Sequence, residues 1–211
     1  MNPRQLPSAL LFLMFVVSMG CTATDEKTKS KTDPVKKDPV KTTIPSSSAT
    51  KPAIINIIDT VSIKQIVICM KDSASSFERI AGKLGKIYGE KLAIVFKKNK
   101  IKVSGQPMAW FKSQKAPYFF EAGIPVNKKP LKLPKGVFIR EIRTDSVTVA
   151  HFYGPYDLIP QAYEALKNRL KETNRKLKGS PYEIYVSDPM DKKGQPINPY
   201  KVQTNIVFPF Q

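Results

Sequence analysis

A succession of one strand, one amphipathic helix and two strands runs through this chain twice, and that duplication restricts the folds open to it more than any other feature. The first pass begins with the alternating, β-rich stretch from Val61 to Met70. Ser75 or Ser76 then offers a helix cap, and Phe77, Ile80, Leu84 and Ile87 recur at helical spacing up to about Tyr88. Strands are predicted near Pro107 to Ser113 and from Tyr118 to Val126. The second pass has a lead-in strand, Val137 to Arg143, and then a strand from Ser146 to Tyr153. Gly154-Pro155-Tyr156-Asp157 turns the chain into a helix from about Leu158 to Leu177, with Ala162, Leu166, Leu170 and Leu177 along one side. Tyr182 to Val186 and Val202 to Phe210 close the pass as strands. The two passes even end alike, on Gly123-Ile124-Pro125-Val126 and on Val207-Phe208-Pro209-Phe210.

Two such units, half-repeats of about 54–130 and 131–211, predict an α+β domain. Its sheet is continuous and antiparallel, with both helices on one face and a ligand groove on the other, along the junction of the halves. In Tyr182-Glu183-Ile184-Tyr185-Val186, strand alternation puts Glu183 and Tyr185 on one face and the other three on the opposite one. The apolar majority is expected to face the helices, which leaves Glu183 and Tyr185 toward the groove. A carboxylate beside aromatics in mid-strand is either a solvated charge or one reserved for a partner, since an unpaired buried charge is costly. The internal repeat supplies the pairing that a dimer would otherwise provide, so a monomer is expected.

The N-terminus adds an address. Arg4 and the apolar run from Ala9 to Val17 read as a signal peptide over residues 1–20, too short for a helix of the roughly 20 residues that cross a bilayer. Ser18-Met19-Gly20-Cys21 resembles a lipobox, with Ser18 where Leu is usual. That resemblance implies lipidation of Cys21 with diacylglycerol and palmitate, and anchoring to a bacterial envelope membrane, facing the periplasm or the exterior. A plain secretory signal is the alternative. Residues 21–53 are mostly Lys, Thr, Ser, Asp and Pro, with the near-repeat Asp33-Pro34-Val35-Lys36 and Asp38-Pro39-Val40-Lys41. So little apolar mass cannot offset an ordering cost of about 1–2 kcal/mol per residue, and the segment reads as a tether. The folded domain is expected over 54–211.

The net charge is +18. Clusters such as Lys97-Lys98-Asn99-Lys100 and Lys128-Lys129 read either as solvated lysines or as a surface with weak affinity for anionic lipid. Export and the lack of any DNA- or RNA-binding signature argue against nucleic acid as a partner. Cys69, in the apolar run Ile66 to Met70, reads as a small buried hydrophobe, with a reactive thiol as the alternative. His151 is the only histidine and has no ligand cluster around it, so neither a metal nor another cofactor is expected.

Four pieces in order carry a family resemblance: His151-Phe152-Tyr153-Gly154-Pro155-Tyr156; Ala162-Tyr163; Pro181-Tyr182-Glu183-Ile184-Tyr185-Val186-Ser187-Asp188-Pro189; and Thr204-Asn205-Ile206 with Pro209. Together they are similar to the gyrase-inhibitor-like (GyrI-like) domain, a family shared with the effector-binding domains of AraC-type and multidrug-sensing regulators. The match is good over 137–210 and thinner over 60–126, where Phe120 to Val126 is its clearest piece. The resemblance implies a tandem βαββ fold and a hydrophobic groove in which Glu183 meets the cationic or polar part of an aromatic ligand. Tyr185 would share its face, with Trp110, Phe111, Tyr118, Phe120 and Tyr156 as candidate walls. Three functions follow, in order of expectation. The first is capture of an amphipathic small molecule; the second is docking of a protein or membrane partner. The third is hydrolysis of strained electrophiles, with Glu183 as general base and Tyr185 or Tyr156 as donor.

Overall fold

A computed structural model of the chain describes residues 51–211. The signal segment 1–20, Cys21 and nearly all of the tether lie outside the described residues. In chain order the strands are β1 (Ile54–Val61), β2 (Gln65–Ala74), β3 (Met108–Phe111), β4 (Tyr118–Val126), β5 (Val137–Ile142), β6 (Ser146–Tyr153), β7 (Tyr182–Tyr185) and β8 (Gln203–Pro209). The first half carries helices α1 (Glu78–Gly85) and α2 (Leu92–Asn99), joined by a π-helical turn, Lys86–Lys91; the second carries α3 (Ile159–Glu172).

All eight strands form one antiparallel sheet in the order β1-β6-β8-β7-β3-β4-β2-β5. Each half opens with a strand that it gives away: β1 pairs with β6 of the second half, and β5 pairs with β2 of the first. At the centre β7 meets β3, so the junction of the halves is a strand pair. The sequence reading lacked β1. It also began the next strand at Val61, where the structure turns through Ser62 and starts β2 at Gln65. Ser62 fastens that turn to the other half through the carbonyls of Arg143 and Asp145.

The first helix runs well past Tyr88, to Asn99. The buried positions Ile80, Leu84 and Ile87 are followed five residues later by Leu92, then Val95 and Phe96. An unbroken α-helix would rotate that stripe off the sheet. The Leu92 amide bonds instead to the Ile87 carbonyl, and this i→i+5 turn restores the register. No serine side chain caps the helix, since Phe77 stands at its N-cap. Helix α3 is shorter than predicted. Thr173 bonds back to the Arg169 carbonyl, Asn174 adopts a left-handed φ of 51°, and Leu177 forms a bridge to Phe210 instead of a further helical turn.

Helices cover one face of the sheet, as expected. One core cluster lies under α1 and α2 and another, built on Phe152, Leu166, Ile206 and Phe208, under α3. The uncovered face has its own cluster, with Val67, Cys69, Met108, Trp110, Tyr182 and Val207. Cys69 is fully buried there, and burial pushes its thiol up to about 12. That environment suits the small-hydrophobe reading.

Candidate functional site

The register places one row of side chains across the middle of the helix-covered face: Ala150, Ile206, Glu183, Ala109, Ala122 and Met70. The row is symmetric about the junction. Aligning the two closing segments equates Ala122 with Ile206, and Glu183 then takes the place that Ala109 holds in the first half. The carboxylate is therefore an asymmetric feature set on a pseudo-two-fold axis, flanked by small or aliphatic neighbours.

Alternation along β7 is as predicted, but its direction is reversed. Tyr182 and Ile184 belong to the uncovered face, where Tyr182 packs on Trp110 with ring centroids 5.5 Å apart. Glu183 and Tyr185 point toward the helices. The expectation set the apolar majority of the strand against the helices, whereas here hydroxyl donors meet the carboxylate on the helix side, in the interior. Tyr163 of α3 donates to Oε1 at 3.1 Å, and Tyr185 donates to Oε2 at 2.9 Å. Glu183 is only 3% exposed. Burial raises its carboxyl to about 7, and the two tyrosine hydroxyls oppose that rise.

Two more tyrosines complete a cage. Tyr88, on the π-helical turn, stands 6.3 Å from the Tyr185 ring and donates its hydroxyl to the Met108 carbonyl at 2.9 Å. Tyr156, on the short 3-10 turn ahead of α3, meets Tyr185 edge-on at 6.5 Å. Burial and the nearby Glu183 charge raise all four phenols above their ordinary range, with burial the larger cause. For Tyr156, a hydrogen bond to Thr204 opposes that rise more strongly than the Glu183 charge adds to it. Tyr88, Tyr156 and Tyr185 are half-buried, so the cage has an exposed edge between the first helix and the turn into α3.

Sequence reasoning named Glu183, Tyr185 and Tyr156, which converge. It missed Tyr88 and Tyr163. Tyr163 stood in the motif piece Ala162-Tyr163 without a role assigned to it, and Tyr88 was the last residue of a helix that in fact continues. The other candidate walls disperse. Phe111, Tyr118 and Phe120 are on the helix-covered face but pack in the core under α1 and α2, with the Phe111 and Phe120 rings tilted against each other at 5.5 Å. Trp110 is on the opposite face, beneath the Arg140 guanidinium at 4.7 Å, which also donates to Glu121.

A groove of about 220 Å³ does run along the uncovered face, lined by Ile58, Met108, Tyr182, Ile184 and Asn205 among others, but Glu183 is not part of it. His151 borders this groove and shares a hydrogen bond with Asn205 at 2.8 Å. A second cleft, of about 300 Å³, lies on the helix side, and Tyr163 is the wall that separates it from Glu183. Among the described residues no cluster of His, Cys, Asp or Glu has the makings of a metal site.

The GyrI-like small molecule binding domain family matches residues 96–211. No curated protein is significantly similar in sequence. Among solved structures, the chain is similar to the C-terminal domain of EcmrR, with 18% identity and a TM-score of 0.63 over 75% of this chain and 98% of that one. It is also similar to EcmrR in its complex with DNA, with 17% identity and a TM-score of 0.62 over 74% of this chain. It spans only 57% of that longer protein. An uncharacterized conserved protein from Listeria innocua shares 10% identity and a TM-score of 0.50, over 78% of this chain and 94% of that one. Identities this low speak for a common fold alone.

Proposed function

From the premise that the chain belongs to the GyrI-like small-molecule-binding family, we propose that it captures an amphipathic aromatic ligand bearing one positive charge. Glu183 supplies the counter-charge, and Tyr88, Tyr156, Tyr163 and Tyr185 supply the walls. The observation that carries this reading is a buried carboxylate held by two tyrosine hydroxyls, with no cationic side chain paired to it among the described residues. A ligand cation would meet both the charge and the ring faces, each good cation–π contact adding about 0.5–2 kcal/mol. Entry requires a ring to swing aside at the half-buried edge formed by Tyr88 and Tyr156. The basic exterior repels such a ligand, so retention comes from the cage and not from steering; added salt should speed association.

The proposal includes the location. The Ser18 to Cys21 motif and the Lys/Pro-rich segment 21–53 support an exported domain, tethered to the membrane through lipid on Cys21. Incorporation of labelled palmitate that disappears in Cys21→Ala tests it.

One observation favours a second reading. Glu183 is already satisfied internally and nearly closed off, as it would be in a docking module that takes no ligand. A thermal-shift panel of lipophilic cations, anions and neutral amphiphiles, run on the native chain and on Glu183→Gln, separates the two. Cations that stabilise only the native chain support capture. Equal shifts with cations in both proteins count against capture at Glu183, and no shift with any compound in either favours docking.

A further inference from the structure

The cleft of about 300 Å³ on the flank of α3 is not lined by Glu183 and shares only Tyr163 with the cage proposed above. Its floor is apolar: Phe111 at the end of β3, Leu170 of α3, Pro181 and Phe208, with the Tyr163 ring as inner wall. Leu177 borders it and is 46% exposed, because the chain leaves α3 early and bridges to Phe210. The rim is cationic. Lys167 and Lys171 stand one turn apart on α3, and Lys112 comes from the loop after β3. Lys167 is engaged by Glu164 at 2.7 Å, whereas Lys112 and Lys171 take part in no ion pair among the described residues.

An apolar floor with a rim of one sign matches an amphiphile of the opposite sign. It repels the cationic ligand proposed for Glu183. The volume is at the small end for ligand sites, which run from about 300 to 1,000 Å³, and suits one chain. We propose that this cleft binds a free single-chain amphiphile with an anionic head, such as a fatty carboxylate. Its chain lies over Phe111, Leu170, Leu177 and Phe208, and its head is held by Lys112 and Lys171. The Tyr163 ring divides this site from the carboxylate, so the two are chemically opposite compartments on either side of one side chain.

Calorimetric titration of the full-length chain with decanoate, below its micelle concentration, tests the site. Decanoate binds, and octanoate binds about tenfold more weakly, as expected for two buried methylenes. Lys112→Glu/Lys171→Glu weakens decanoate binding about fivefold or more, and Leu177→Glu weakens it too. The same charge change placed elsewhere, Lys128→Glu/Lys132→Glu, leaves affinity within about twofold. Glu183→Gln also leaves it unchanged, so failure here is distinguishable from failure of the cation reading. The proposal is overturned if native protein does not bind decanoate, or if both lysine pairs have equal effects. It is equally overturned if decyltrimethylammonium occupies the cleft as tightly as decanoate, with the same sensitivity to Leu177→Glu.

Discussion

The Tyr163 hydroxyl reaches from α3 down to the Glu183 carboxylate on β7 and donates a hydrogen bond at 3.1 Å. This contact joins a helix of the second half to the strand that meets the first half, and it lies in the interior, where a hydrogen bond to a charge matters most. Its worth depends on the state of Glu183. In Tyr163→Phe the loss should be about 1.5–3 kcal/mol at pH 8, with the carboxylate ionised, and nearer 0.5–1.5 kcal/mol at pH 5. Urea unfolding at the two pH values measures both; equal losses would show that the hydroxyl does not serve the charge.

Glu183 should also shape the pH dependence of stability. Its folded carboxyl is raised from 4.5 to about 7, so between those values the native state holds a proton that the unfolded chain releases. Stability therefore falls as pH rises through that window, by an amount on the order of 3 kcal/mol, and the term is constant above it. Subtracting the Glu183→Gln profile from the native one isolates it. A difference that is flat from pH 4.5 to 7 contradicts the raised value.

Neither half should fold alone. Residues 131–211 lack β1, which covers β6, and β3, which covers β7. They also lack Asp59, whose carboxylate takes hydrogen bonds from Arg169 at 3.1 Å and Arg175 at 2.7 Å. A fragment of 131–211 should give the circular dichroism of an unfolded chain, and mixing it with 51–130 should restore strand signal. A folded 131–211 fragment would mean that the exchanged strands are dispensable.

Much of this architecture was legible in the residues. Tyr118 to Val126 and Ser146 to Tyr153 coincide with β4 and β6: the first is a short, largely apolar run and the second is rich in β-branched residues. β1 was not legible. Ile54–Val61 directly follows the tether, and what makes it a strand is its pairing with β6, far along the chain. The end of the first helix was hidden for a related reason: the helical spacing stops at Ile87, and the next buried position, Leu92, falls five residues on, where the π-helical turn realigns the stripe. Motif order found Glu183, Tyr185 and Tyr156. Tyr88 and Tyr163 join them only through the packing of two helices on one sheet, and hydropathy gave the wrong face for a charge whose two partners are Tyr185 on its own strand and Tyr163 on the helix packed over it.

The uncovered face is tightly packed around Cys69. A Cβ added at Gly123 would meet the Cys69 sulfur, the Ile68 carbonyl oxygen at 2.7 Å and Val67 Cγ1 at 2.8 Å. Gly123→Ala should cost about 1–3 kcal/mol, seen as a lowered melting temperature. The buried, high-pKa thiol should resist alkylation in the native chain and react only on unfolding. Rapid labelling under native conditions would show that this face opens.

Glu183 as the counter-charge of a ligand cation is tested by proton-linked calorimetry. N-butylquinolinium is titrated into the native chain and into Glu183→Gln at pH 6 and pH 8, in buffers of different ionisation enthalpy. A cation beside the carboxylate lowers its pKa, so binding to the native chain should tighten about fivefold to tenfold from pH 6 to pH 8 and release protons at pH 6. Glu183→Gln should bind at least about tenfold more weakly at pH 8, with no proton release at either pH. Equal affinity in the two proteins, without proton release in either, would contradict the account.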